Sequence, residues 1–223
     1  MSQISYHVDI TMCIDATLSM QPVINMVKEN ALNFDERLKA ALAEKEKNVD
    51  KLRMKLIFFR DIYHDGLDEA LMETDFVELP NEKETFRDWL DSVTASGGGD
   101  LPESSLEALA AAMKSDWTRE GDKRRHLIVM FTDDAAHPLE KSASFGGEYP
   151  EGMPKDFSEL VEMWEGQTMD DVAKRMLIFA PNKDPWPTIA ETCDEVFMIE
   201  SQAGKGLVDK HWDEILKGIV NSV

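Results

Sequence analysis

Cysteine, basic residues and long apolar runs are all scarce in this chain. Its 223 residues include two cysteines, Cys13 and Cys193, in apolar segments far apart. No disulfide framework fits that spacing, and reduced, buried thiols in a cytosolic protein are expected. Lys and Arg number 24 against 44 Asp and Glu, a net charge of −20. A nucleic-acid binder needs a basic footprint, and so does a partner of anionic membranes, so neither class is expected. No apolar run reaches the ~18 residues that a membrane-spanning helix needs. The opening Met1-Ser2-Gln3-Ile4-Ser5-Tyr6-His7 has no basic n-region and no apolar h-region, so no signal peptide is expected. The GxxxxGK[ST] phosphate loop is missing, and so is a glycine fingerprint at the first strand–helix turn.

What is present suits a folded domain. Hydrophobic residues make up 43% and aromatics 8%, enough for a real core. The length fits one domain spanning 1–223. Strand-length apolar segments alternate with amphipathic ones. The strands read His7–Ile14, Met54–Phe59, Asp75–Leu79 (ended by Pro80), His126–Phe131, Met176–Phe179 and Val196–Ile199. A long helical pattern places Val23, Ile24, Val27, Ala31, Phe34, Leu38 and Leu42 at three- and four-residue steps. Further helices carry Phe86, Trp89 and Leu90, then Leu106 to Trp117, then Phe157 to Val172, and last Val208 to Ile219. Residues Ala135 to Asp156, rich in Gly and Pro, read as a long loop. This alternation predicts an α/β domain with a mostly parallel sheet covered by helices on both faces. Ligands of such folds bind beyond the carboxyl ends of the strands, here after Ile14, Phe59, Phe131 and Phe179.

Four strand-end stretches carry chemistry. Asp15-Ala16-Thr17-Leu18-Ser19 alternates one carboxylate with two hydroxyls, an oxygen-only set that suits a hard divalent cation. Thr17 or Ser19 would serve equally as a helix cap. Gly97-Gly98-Gly99-Asp100 permits close backbone approach and then offers a carboxylate. Asp100 with Glu103, or Ser104 with Glu107, also reads as a capping box. After the most apolar strand comes Thr132-Asp133-Asp134-Ala135-Ala136-His137. Asp133 is the natural ligand there, or the acceptor for a metal-bound water or hydroxyl, because acids at a buried strand end are costly unless paired or metal-bound. Asp134 is expected to face solvent, and His137 is a candidate contact. Arg60 and Asp61 follow the second strand, as a rim of the site or as a simple ion pair.

Together these pieces resemble the von Willebrand factor A (vWA) family. The metal-ion-dependent adhesion site (MIDAS) of that family is similar to Asp15-x-Thr17-x-Ser19 in the first loop and Thr132-Asp133 in the third. Thr stands for the first Ser, and Asp100 stands where many members carry Thr. Bacterial and kinase-linked members resemble this chain at Phe59-Arg60-Asp61, at Gly97 to Glu103 and at Asp133 to His137. The resemblance implies a Rossmann-like, doubly wound, mostly parallel six-stranded sheet with Asp75 to Leu79 as a short antiparallel edge. It implies Mg²⁺, or Mn²⁺ or Ca²⁺, held by Asp15, Thr17, Ser19, Asp100 and Asp133. It implies a protein partner that presents Asp or Glu to the ion, with Arg60, Asp61, His137, Phe145 and Tyr149 as candidate contacts. Similarity to stand-alone, tellurite-resistance-associated members implies a cytoplasmic stress-response or signalling assembly with a co-encoded kinase, phosphatase or AAA-type ATPase.

Two other functions compete with a binding module. A Mg²⁺-dependent phosphohydrolase of the haloacid-dehalogenase type begins DxDx[TV], and Thr17 takes the place of the second acid. No G-x-S-x-G elbow is present and no Cys has a convincing His partner, so no enzyme is expected. The remaining alternative is a scaffold that uses no metal.

Overall fold

The computed structural model describes residues 4–31, 33–97, 102–144, 149, 152–166 and 168–223. Asp100 and Phe145 therefore lie outside the described residues. Seven strands occur among them: β1 (Tyr6–Asp15), β2 (Lys51–Phe59), β3 (Leu71–Glu73), β4 (Val77–Leu79), β5 (Lys123–Phe131), β6 (Lys174–Pro181) and β7 (Val196–Ser201). The sheet order is β3-β2-β1-β5-β6-β7, with β4 also on β2. β1 pairs in parallel with β2 on one side and β5 on the other, and β6 and β7 continue in parallel. The buried runs of β1, β2, β5 and β6 are nearly continuous in apolar residues because a parallel sheet is covered on both faces.

Helices α1 (Gln21–Ala31), α2 (Phe34–Ala43), α5 (Lys83–Ser92) and α10 (Trp212–Ser222) cover one face. Val8, Ile10, Met12 and Ile14 of β1 meet them there. Helices α6 (Ser105–Met113), α8 (Phe157–Glu165) and α9 (Trp186–Thr192) cover the other face, where Cys13 points. Each such large apolar side chain, fully buried, stabilises the fold by about 1.5–3 kcal/mol. Both cysteines are free and buried. Burial lifts the thiol of Cys13 well above its ordinary range and that of Cys193 to about 11.

The sheet differs from a six-stranded one at its antiparallel edge. That edge is broken into β3, beside Ile57–Phe59, and β4, beside Leu52–Met54. Thr74 bridges the break: its N–H donates to the Leu56 carbonyl at 2.9 Å, and its Oγ1 accepts from Leu56 N at 3.0 Å. The long helical pattern is likewise two helices, with Asn33 in a non-helical conformation between them. Helix α8 stops at Glu165 and α10 starts at Trp212, so Val172 (83% exposed) and Val208 (57% exposed) lie in loops. The 135–156 stretch includes a short helix, α7 (Leu139–Ala143). Two short helices follow β2, namely α3 (Ile62–Asp65) and α4 (Leu67–Ala70). No helix of the described residues is long and apolar enough to cross a membrane.

Candidate functional site

β1 is the strand at which the sheet order reverses: the chain leaves it for β2 on one side and later returns to β5 on the other. The loops after β1 and β5 therefore meet at the carboxyl ends of the strands where the order reverses, the usual ligand position of such sheets. Asp15, Thr17, Ser19 and Asp133 meet there. Asp15 is the last residue of β1 and fully buried. Its Oδ1 accepts from Thr17 N at 2.9 Å and Thr17 Oγ1 at 2.6 Å, and its Oδ2 accepts from Thr132 Oγ1 at 3.1 Å. Ser19 Oγ, on the exposed side of the loop, donates to Asp133 Oδ1 at 3.1 Å. Asp133 Oδ2 accepts from Gly206 N at 2.7 Å, and its carbonyl accepts from Gly204 N at 2.7 Å.

Hydroxyl protons decide what this arrangement can hold. Thr17 gives its proton to Asp15 and Ser19 gives its proton to Asp133, and a hydroxyl has only one to give. The two hydroxyl oxygens stand 3.3 Å apart with neither proton left for that contact. Lone pairs of two hydroxyls and two carboxylates thus converge, with Ser19 on the solvent side. Among the described residues neither Asp15 nor Asp133 forms an ion pair with Lys or Arg, and no three His, Cys, Asp or Glu side chains form a metal-holding group. The donors are hard oxygens of mixed kind, and they fit a Mg²⁺-like ion. Burial pushes the Asp15 carboxyl up to about 7; the Thr17 and Thr132 hydrogen bonds oppose this, and the Asp133 charge adds to it. An added cation would offset both the burial and the repulsion.

The capping alternative is not what the first loop does. Thr17 precedes a 3₁₀ turn (Leu18–Met20) without a side-chain capping bond, and Asp15 caps its N–H instead. Ser104 precedes α6 and also makes no cap; its Oγ accepts from Ile62 N at 3.0 Å. Asp134 does not face solvent. It is buried, paired with Lys183 Nζ at 2.9 Å, and its carbonyl accepts from the Trp186 indole at 2.8 Å. A carboxylate at the end of a buried strand needs such a partner.

Arg60 and Asp61 do not pair with each other. Consecutive residues leaving a strand point to opposite sides. Arg60 is buried and donates to the carbonyls of Ala16 (3.4 Å), Glu69 (3.3 Å) and Thr94 (3.1 Å), which braces the loop after Asp15. Asp61 is buried on the other side, caps α3 at Tyr63 N (2.8 Å) and meets His137 Nε2 at 3.3 Å. His137 Nδ1 faces Lys141 Nζ at 3.2 Å, and that ammonium lies 4.1 Å from the Tyr63 ring centroid. An ammonium can only donate, so His137 Nδ1 is the acceptor in its contact with Lys141. Tyr149 Oη donates to Glu107 Oε1 at 3.3 Å, and burial, helped by the Glu107 charge, lifts the phenol above its ordinary range. The loop after β5 is therefore latched onto α3 and α6, with Asp61 and His137 beneath the rim.

Gly204 and Gly206 were no part of the motif reading. Gly206 has φ +55, and a Cβ there would overlap the Ser19 carbonyl oxygen and stand 3.0 Å from its carbon. A glycine is thus required where the loop before α10 presses on the first loop. The Gly204-Lys205-Gly206 spacing just ahead of the last helix was the available signal.

A mostly parallel α/β sheet with helices on both faces and a carboxylate–hydroxyl cluster at its switch point is a doubly wound, Rossmann-like fold. Within that class, the chain belongs to the von Willebrand factor A domain family, whose model matches residues 9–144. Two crystal structures of the pilus adhesin SpaC from Lactobacillus rhamnosus GG share the fold. One has a TM-score of 0.58 at 11% identity over 98% of this chain. The other, in an open conformation, has a TM-score of 0.55 at 12% identity over 98%. The chain spans 31% and 30% of those adhesin chains. Comparison with curated proteins gives no match.

Proposed function

We propose that this domain is a metal-dependent protein-binding module of the MIDAS kind. The observation that carries the reading is the pair of hydroxyl oxygens, Thr17 and Ser19, 3.3 Å apart and each hydrogen-bonded to a carboxylate, Asp15 and Asp133. Thr17, Ser19, Asp15 and Asp133 would hold a Mg²⁺, Mn²⁺ or Ca²⁺ ion, directly or through water. When bound, the ion supplies a coordination position for an Asp or Glu of a partner protein. Gly206 N and Thr132 Oγ1 orient the two carboxylates. Ser19 lies on the open side, and Leu18 beside it is 66% exposed, so an apolar contact is available to the partner next to its acid. Asp100, the fifth candidate ligand, directly follows Gly97-Gly98-Gly99 in sequence. No catalytic step is assigned to the site.

The setting is also part of the proposal. The stretches Phe59-Arg60-Asp61, Gly97 to Glu103 and Asp133 to His137 support a bacterial, cytoplasmic assembly of the tellurite-resistance type. Its partner would be a co-encoded kinase, phosphatase or AAA-type ATPase. Immobilised protein exposed to native-host lysate should retain a partner in Mg²⁺ and release it in EDTA, and Asp133→Ala should retain none. Equal retention by wild type in Mg²⁺ and in EDTA would overturn the proposal.

A further inference from the structure

The opposite end of the sheet carries a second concave site. A cavity of about 850 Å³ opens there, with Ile4, Tyr6, Lys47, Lys123, Arg125 and Val172 in its walls. Tyr6 and Lys123 are the first residues of β1 and β5, so the cavity lies at the amino ends of the strands, away from Asp15 and Asp133. The chain carries a net charge of −20, yet this wall is close to charge balance, with one more cation than carboxylates among its side chains. Counting Arg124, four cations stand against Glu46, Asp122 and Asp170. Asp170 is held by Arg124 at 2.8 Å, and Asp122 accepts from Ser5 N at 2.9 Å. Lys47 and Lys123 enter no ion pair among the described residues. Main-chain oxygens of Val172 (3.2 Å), Ala173 (3.3 Å) and Val223 (3.3 Å) fix the Arg125 guanidinium in place.

These cations repel one another. Burial first, and then the charges of Arg125 and Lys45, hold the Lys47 ammonium below the usual lysine range. Burial and Arg125 act likewise on Arg175. An anion placed among them would relieve that repulsion. The cavity also gathers exposed apolar surface. Five large hydrophobics are exposed among the described residues, and two of them, Ile4 (60%) and Val172 (83%), border it. Tyr6 Oη is committed to the Val223 carbonyl at 2.7 Å.

We propose that this cavity binds a small organic phosphate, with the phosphate held by Lys47, Lys123 and Arg125 and an apolar body against Ile4 and Val172. The one guanidinium nitrogen of Arg125 not bonded to main-chain oxygens, Nη2, together with two ammonium groups suits a dianionic phosphate better than a single carboxylate. The volume falls in the range of small-molecule sites, about 300–1,000 Å³, and far exceeds a bare phosphate. The site is independent of the metal-binding proposal.

The test is calorimetry in EDTA, which silences any metal site, with phenyl phosphate, inorganic phosphate and an oligoglutamate peptide as probes. Wild type should bind phenyl phosphate about 10-fold or more tighter than inorganic phosphate, the apolar gain of roughly two buried methylenes. Lys47→Gln with Lys123→Gln should lower that affinity by about 10-fold or more while the melting temperature holds. Val172→Ser should reduce the preference for the phenyl ester. The proposal is overturned by no binding to wild type, by unchanged affinity in the double lysine variant, or by tighter binding of the oligoglutamate than of phenyl phosphate.

Discussion

Two glycines four residues or fewer ahead of Val208 should respond very differently to the same substitution. Gly204 and Gly206 both have positive φ, +62 and +55, so alanine at either costs about 1 kcal/mol of backbone strain. At Gly204 the new Cβ meets nothing within 4 Å among the described residues. At Gly206 it overlaps the Ser19 carbonyl oxygen and comes 3.2 Å from Pro22 Cδ. Backbone on both sides must then move, a cost of about 1–3 kcal/mol. Movement also strains the 2.7 Å bond from Gly206 N to Asp133 Oδ2. A hydrogen bond to a charged group contributes about 1.5–3 kcal/mol. Gly206→Ala should therefore destabilise by about 3–6 kcal/mol and Gly204→Ala by about 1 kcal/mol. For a chain of this length each kcal/mol shifts Tm by about 2–4 °C. Thermal unfolding of the two variants in EDTA reads the difference without any metal. Equal shifts would refute the argument that the loop before α10 is pressed against the first loop and holds Asp133.

Two further outcomes follow from buried titratable groups. His137→Ala removes the imidazole 3.3 Å from the buried Asp61 carboxylate and should cost about 1–3 kcal/mol in urea unfolding; a loss under about 0.5 kcal/mol would show that Asp61 is satisfied by its α3 capping bond alone. His126 is fully buried, and burial holds its pKa below the ordinary 6.5, against the nearby Asp9 charge. The unfolded chain then takes up a proton first as pH falls, so this stability is complete above about 6.5 and is lost as pH drops toward the folded value. Urea unfolding at pH 7.5 and 5.5 should show a smaller pH loss for His126→Asn than for wild type, and equal losses would contradict the assignment.

The parts legible in the sequence are those where one local pattern decides. β1, β2, β5 and β6 read as strands because both faces of a parallel sheet are buried, which leaves unbroken apolar runs, and β7, the half-exposed edge strand, is legible from its short Val196–Ile199 run. β3 was invisible because three residues carry no period, and its link to β4 runs through one Thr74 hydroxyl. The α1–α2 break was hidden because Val27, Ala31, Phe34 and Leu38 stay in helical phase across it. Asp15, Thr17, Ser19 and Asp133 were legible since three lie at alternate positions along one stretch and the fourth follows the most apolar strand. Asp134 was misjudged because its partner, Lys183, arrives from the loop after β6. The bonds from Gly204 and Gly206 to Asp133 and the pairing of Asp61 with His137 are long-range in sequence, and no spacing rule announces them.

The central claim is that Thr17, Ser19, Asp15 and Asp133 form one divalent-cation centre. The most direct measurement is Mn²⁺ titration followed by electron paramagnetic resonance, on wild type and on Ser19→Ala with Asp133→Asn. The account predicts a single Mn²⁺ site in wild type, displaced by Mg²⁺, and an affinity lower by about 10-fold or more in the double variant. Equal Mn²⁺ affinity in the two proteins, or no bound Mn²⁺ in wild type, would contradict it.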